Sequence, residues 1–151
     1  MNINDLRIDD WINIRLLQSC EVAQVTSIDI ENNSISVRTE TNDSLLIDTP
    51  DKWKQIIDVI LSNDLLIRLG FYKYENGTIG GLVGQTIYEK SYTRNDTSLS
   101  IHLINERRKF SWVTEDADAY YGCKTTPVQS LRELQRLFYN TYGVNMPINL
   151  F

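Results

Sequence analysis

The sequence is poor in the residues that mark several common protein classes. Its 151 residues include two cysteines, Cys20 and Cys123, far apart in the chain, and one histidine, His102. Two scattered thiols fit a reduced protein and give no disulfide framework. With His102 they supply at most three soft ligands, one short of the usual structural zinc set, so no metal or other cofactor is expected. No apolar run approaches the roughly 18 residues of a membrane span. The start, MNINDLRIDDW, is acidic where a signal peptide needs a basic start and an apolar run. The expectation is a soluble, cytoplasmic protein with no membrane partner.

Basic charge is also scarce. Fifteen Lys and Arg stand against twenty Asp and Glu, a net charge of −5. Residues 1–48 hold three basic and nine acidic side chains, net −6, which leaves the remainder at +1. A general nucleic-acid binder would show a basic stripe and a high pI, so that class is excluded, while a local basic site in the later part of the chain is not. Four N-x-S/T triplets, at Asn32, Asn42, Asn76 and Asn95, read as turn chemistry where no export signal is seen.

The length and the 42% hydrophobic content suit a single domain over 1–151, able to bury roughly two thirds of its unfolded surface. The segment 49–70 is the one interior block with helical spacing. Thr49 before Pro50 is a capping start. Trp53, Ile56, Ile57, Ile60 and Leu61 then fall at i, i+3, i+4, i+7 and i+8, one apolar stripe. Ser62 and Asn63 break the pattern and open a second short helix over Asp64 to Leu69, stopped by Gly70.

The first 48 residues read as a β-rich segment. Ile28-x-Ile30 and Ile35-x-Val37 alternate on either side of Asn32-Asn33, a hairpin, and Leu45 to Ile47 adds a short strand. Residues 71–114 read as a meander. Asn76-Gly77 is its first predicted turn, with later turns at Arg94-Asn95-Asp96 and Asn105-Glu106-Arg107. Leu99, Ile101 and Leu103 share a packed face, with Ser98, Ser100 and His102 on a wetter one. Residues 126–143 predict the last helix, with Thr126, Pro127 and Gln129 as a capping-box start and Leu131, Leu134, Leu137, Phe138 and Tyr142 as the stripe. The fold class is therefore α+β: antiparallel sheets, an N-terminal hairpin and a C-terminal meander, covered by a central helical block and a C-terminal helix.

Motifs for chemistry are sparse. GTIGGLVGQT, over residues 77–86, is glycine-rich, yet it has neither a P-loop ending nor the order of a dinucleotide fold, and it reads as a hairpin or bulge. Glu115, Asp116 and Asp118 form an acidic run without the ligand spacing of a calcium loop. A nucleophilic pair built from Cys20 or Cys123 with His102 has no local support. The best candidate is Arg94, Arg107, Arg108, Lys109 and Lys124 interleaved with Tyr88, Tyr92, Trp112, Tyr120 and Tyr121. Guanidinium forks grip phosphates and aromatic faces stack on bases, so Arg94, Arg107, Arg108, Lys124, Trp112, Tyr120 and Tyr121 are read as a site for a nucleotide-like anion. The bland alternative is a solvated hairpin end with packing tyrosines.

Leu6-Arg7-Ile8-x-x-Trp11, Leu65-Leu66-x-x-x-Gly70-Phe71 and Leu131-x-x-Leu134-Gln135-x-Leu137-Phe138-Tyr139-x-x-x-Gly143 resemble, in that order, a family of small uncharacterised proteins of phages and prophages of gut anaerobes. The chain departs from that pattern at Asp9-Asp10 and in a longer helix before Leu65. The resemblance implies a non-enzymatic phage accessory protein of the host cytoplasm that counters a bacterial defence by binding. It would act either by sequestering a small nucleotide signal or by blocking a host defence protein. An enzyme acting on nucleotides, with a site assembled from His102 and the carboxylates of 115–118, is the other class. Small sheets with exposed edges also suggest a homo-oligomer.

Overall fold

The structure is a computed structural model describing residues 3–15, 19–41, 43–94, 97–107, 109–115, 122–148 and 150. It is an α+β fold with two antiparallel five-stranded sheets. By contact the chain divides into two units: Met1–Ile60 with Ser130–Gln135 and Leu150–Phe151, and Leu61–Gln129 with Arg136–Asn149.

The first unit holds strands β1 (Trp11–Arg15), β2 (Cys20–Asp29), β3 (Ser34–Thr39), β4 (Ser44–Ile47) and β5 (Ile56–Asp58), in the order β4-β3-β2-β1-β5. The predicted hairpin is the β2–β3 pair, with Ile28 opposite Ile35. Its turn is held by Asp29, whose carboxylate accepts from the Asn32 backbone N–H at 3.1 Å and from its amide at 2.7 Å. Asn33 takes φ 48, a left-handed conformation that asparagine tolerates better than most residues. Alternation along the strands puts Ile12, Ile14, Ala23, Val25, Ile35 and Val37 into one buried cluster with Trp53 and Ile56.

The predicted long helix between the sheets does not form. Helix α1 is one turn, Pro50–Trp53, capped by Thr49 as expected, and the chain then becomes strand β5. Two causes explain this. Ile56, Ile57, Val59 and Ile60 are β-branched, stiff in a helix and at home in a pleat. The open edge of β1 also offers backbone partners, and Ile14 pairs with Ile56 and Ile12 with Asp58. Burial does not follow the helical stripe: Ile56 is 4% exposed and Ile60 65%, although helical spacing would put both on one face. The ring N–H of Trp53 donates to the Asn33 carbonyl at 3.1 Å and ties α1 to the hairpin.

The second unit opens with α2 (Asn63–Arg68), the predicted short helix, capped by Ser62, whose hydroxyl accepts from the Leu65 N–H. The meander follows as β6 (Tyr72–Ile79), β7 (Leu82–Arg94), β8 (Thr97–Glu106), β9 (Lys109–Glu115) and β10 (Cys123–Val128), neighbours in chain order. The β6–β7 turn lies at Gly80-Gly81, not at Asn76-Gly77. Both glycines have positive φ, 51 and 80, as a two-residue hairpin turn requires, while Asn76 (φ 55) sits in a bulge where the register shifts.

Strand β10 occupies residues read from sequence as a helix start. Thr126 pairs with Trp112 and Pro127 with Ser111, and Pro127 is tolerated because β10 is an edge strand. Helix α3 (Leu131–Tyr142) starts four residues later than the predicted capping box. Ser130 and Glu133 form that box: Glu133 N–H donates to Ser130 Oγ and Ser130 N–H to Glu133 Oε2, each at 3.2 Å. The stripe is as predicted, with Leu131, Leu134 and Phe138 fully buried. In the second unit, Phe138 packs edge-on against Tyr92 at 5.3 Å and lies 6.4 Å from Trp112, so this part of the helix covers the sheet. Tyr142 closes the contact by donating its hydroxyl to the Ser100 carbonyl at 2.7 Å.

Candidate functional site

The face of the second sheet opposite Phe138 is not flat. Gly80 belongs to the β6–β7 turn and Cys123 to β10, the two outermost strands of five. Flat strands so placed would lie roughly 19 Å apart. Yet Cys123 Sγ donates to the Gly80 carbonyl at 3.2 Å. Cys123 is opposite Glu115, at the end of β9 far from the β8–β9 turn, whereas Gly80 lies beyond the strands on the side of that turn, so the tip of the β6–β7 hairpin folds over the sheet face onto β10. Gly80 has to be glycine here, because a Cβ would lie 2.3 Å from Cys123 Cβ, and Gly77 lets β6 press onto Ile87, whose Cδ1 would be 2.5 Å from an added Cβ. The glycine-rich stretch is thus the bulge and turn of a folded-over hairpin.

Beneath the folded-over hairpin is a cavity of about 740 Å³, lined by Tyr74, Gly77, Thr78, Ile79, Gly80, Ile87, Glu89, His102, Val113, Gly122 and Cys123. Strand alternation decides which side chains enter. Register places Glu89 opposite His102 and His102 opposite Val113, one row across three strands, while Tyr88 and Leu103 point to the packed face. The floor is apolar: Ile87, Ile104 and Val113 are buried together, with Ile79, Leu82 and Cys123 against them. The wall carries Glu89 and His102, whose Oε1 and Nε2 atoms are 3.6 Å apart. Both are about one third exposed, and they pair as ions only when the imidazole is protonated.

Cys123 and His102 share this cavity without forming a dyad. Cys123 is opposite Glu115 on β9, whereas His102 is opposite Val113, so the two lie two strands and two residues apart. That is roughly 12 Å between Cα atoms, beyond the reach of a base to its nucleophile. Cys20 lies exposed on β2. Among the described residues no group of three or more His, Cys, Asp or Glu side chains is placed to hold a metal.

The residues read from sequence as an anion site are dispersed. Arg94 ends β7 and Arg107 follows β8, at opposite ends of a ten-residue strand pair, roughly 30 Å apart. Trp112 is 2% exposed on the packed face, between Phe138 and Tyr142, and is core. Lys124 is exposed on β10, and alternation turns it away from the side that Cys123 faces. Arg108, Tyr120 and Tyr121 lie outside the described residues, as do Asp116 and Asp118. Arg107 does line, with Lys109, Gly84, Gln85, Thr86, Asn105 and Glu106, a shallow groove of about 590 Å³ at the β8–β9 turn. Glu89, Thr78 and Val113 were not singled out from sequence, and the one signal for their cavity was the density of glycines in 77–84.

A second polar feature is Lys90, on the packed face. Its ammonium lies 5.0 Å from the Tyr92 ring centre and 6.0 Å from that of Phe71, and donates to the Leu69 carbonyl at the end of α2. Burial holds its pKa below the usual lysine value. The carbonyl and the two rings account for this ammonium as a structural clamp on the α2 terminus.

Comparison with protein families, with curated proteins and with solved structures finds no match to the chain.

Proposed function

We propose that the chain is a non-catalytic binding protein that takes a small molecule into the cup of the second sheet. The observation behind this reading is the Gly80–Cys123 contact, which folds the β6–β7 hairpin tip over the sheet face and encloses about 740 Å³. Ligand sites commonly enclose about 300–1,000 Å³ of mostly apolar lining with a few placed polar groups, and Glu89, His102 and Thr78 are such groups on an isoleucine and valine floor. The separation of Cys123 from His102 favours binding over turnover. With the phage resemblance, such a protein would act by lowering the free concentration of a host molecule. Ligand-observed NMR with a fragment library tests this, with Thr78→Trp as a variant that fills the mouth from an exposed position. Fragments should bind the wild type, be released unchanged on heating, and be lost in the variant. A library with no hit removes the reading.

A second reading keeps the anionic nucleotide signal and moves it to the β8–β9 groove, where Arg107 and Lys109 line one surface. Mixing the protein with cyclic and ADP-ribose-type nucleotides should then deplete one of them, with unchanged release on heating. Arg107→Ala should cost about 1.5–3 kcal/mol, tenfold or more in affinity, as a charged hydrogen bond to phosphate does. If nothing is retained and a host defence protein is pulled down with the chain instead, blocking takes the place of capture.

A further inference from the structure

We infer that the ligand of the cup is a primary amine on an apolar body, its ammonium held by Glu89; this rests on reading the cup as a ligand site. Charge is the first ground. Among the described residues that line the cavity, Glu89 is the one carboxylate, and none is a lysine or arginine. The Glu89 carboxylate at this wall repels phosphates and carboxylates and favours cations.

The second ground is the state of the carboxylate. Glu89 is about two thirds withdrawn from water, above a floor of Ile87 and Val113. Among the described residues no side-chain or backbone donor makes a hydrogen bond to it, and His102 at 3.6 Å is beyond hydrogen-bonding distance. A half-buried carboxylate without donors is costly, and three N–H groups of an ammonium would satisfy it at the strength of a charged pair.

The third ground is aromatic. Tyr74 lines the cavity, and Tyr72, opposite Glu89 in register, is on the same side of β6 next to it in the strand's alternation. They are 48% and 75% exposed, more than packing would leave them. Ring faces beside a carboxylate are a common way to hold an alkylammonium, and the isoleucines below suit its hydrocarbon.

Three probes of one shape separate the possibilities: phenethylamine, 2-phenylethanol and 3-phenylpropanoate, titrated calorimetrically into wild type, Glu89→Gln and Thr78→Trp. The amine should bind wild type at least tenfold tighter than the alcohol, with the carboxylate weakest. Glu89→Gln should bring the amine down to the alcohol while the alcohol keeps its affinity, which also shows that the variant is folded. An alcohol or carboxylate equal to or tighter than the amine, and lost in Thr78→Trp, overturns the amine and leaves the cup a ligand site. Binding of none of the three overturns the amine as well, and the fragment screen then decides separately whether the cup binds anything.

Discussion

Cys123 Sγ donates to the carbonyl of Gly80 at 3.2 Å, and through this contact the tip of the β6–β7 hairpin rests on β10, the strand at the opposite edge of the sheet. Gly80→Ala attacks it twice. The new Cβ would lie 2.3 Å from Cys123 Cβ, and the residue holds φ 51, which alanine adopts at a cost of about 1 kcal/mol. We expect a stability loss of about 1–3 kcal/mol in urea unfolding and a loss of cup binding. Adding Cys123→Gly removes the clashing atom and should restore part of the stability, since only the φ strain and the weakened strand remain. A single variant as stable as the wild type would show that the hairpin tip does not rest on β10.

The start of α3 gives a second prediction. Ser130 is 3% exposed and both bonds of its box with Glu133 are made. Ser130→Ala should therefore cost about 1 kcal/mol, and up to about 2 if the Glu133 N–H is left without a partner. Thr126→Ala, in the box that the sequence suggests, should cost only a strand-surface amount, under about 0.5 kcal/mol. Equal melting temperatures for the two variants would contradict the observed start.

These two positions show what could be read from the sequence and what could not. Thr126-x-x-Gln129 and Ser130-x-x-Glu133 satisfy the same local rule; the choice between them is made by β9, whose open edge claims residues 123–128 as a strand. The helical stripe at Trp53 to Leu61 failed in the same way, because the edge of β1 was free to pair with Ile56. Where a pattern was long and its neighbours adjacent in sequence, as in β7 to β9 and α3, the fold was legible. The candidate site was less so. Sequence proximity grouped Arg94 with Arg107, while a ten-residue hairpin arm separates them. The cup depends on a contact between Gly80 and Cys123, and that long-range fold of the hairpin onto β10 leaves no local periodicity.

The packing of α3 is tested by truncation. Leu134 and Phe138 are both fully buried, and Phe138 meets the rings of Tyr92 and Tyr142 at 5.3 and 4.8 Å. Leu134→Ala should cost about 2–5 kcal/mol and Phe138→Ala about 3–5 kcal/mol, the ranges for cavities left in a packed core. Melting shifts near zero for both would place this helix on the surface.

Alkaline pH supplies the last test, and its sign follows from which state holds the protons. Burial raises the phenol pKa of Tyr88, Tyr92 and Tyr142 above the usual 10.0. In the unfolded chain these phenols ionise near pH 10, whereas the folded chain keeps them protonated to higher pH. Their stabilisation is thus complete below the unfolded value and is lost as pH rises above it, because the unfolded state then binds fewer protons. Lys90 acts in the opposite direction, since burial lowers its pKa from 10.5 and the unfolded chain binds the extra proton just below that value. One lysine offsets only part of three tyrosines, and its effect ends near pH 10.5. The melting temperature should therefore fall between about pH 9.5 and 11, with the tyrosinate absorbance of these rings appearing together with unfolding. Tyr92→Phe should flatten the fall by removing the phenol most strongly raised. A melting temperature unchanged across that range, or tyrosinate forming freely in the folded protein, would show that these hydroxyls are in water.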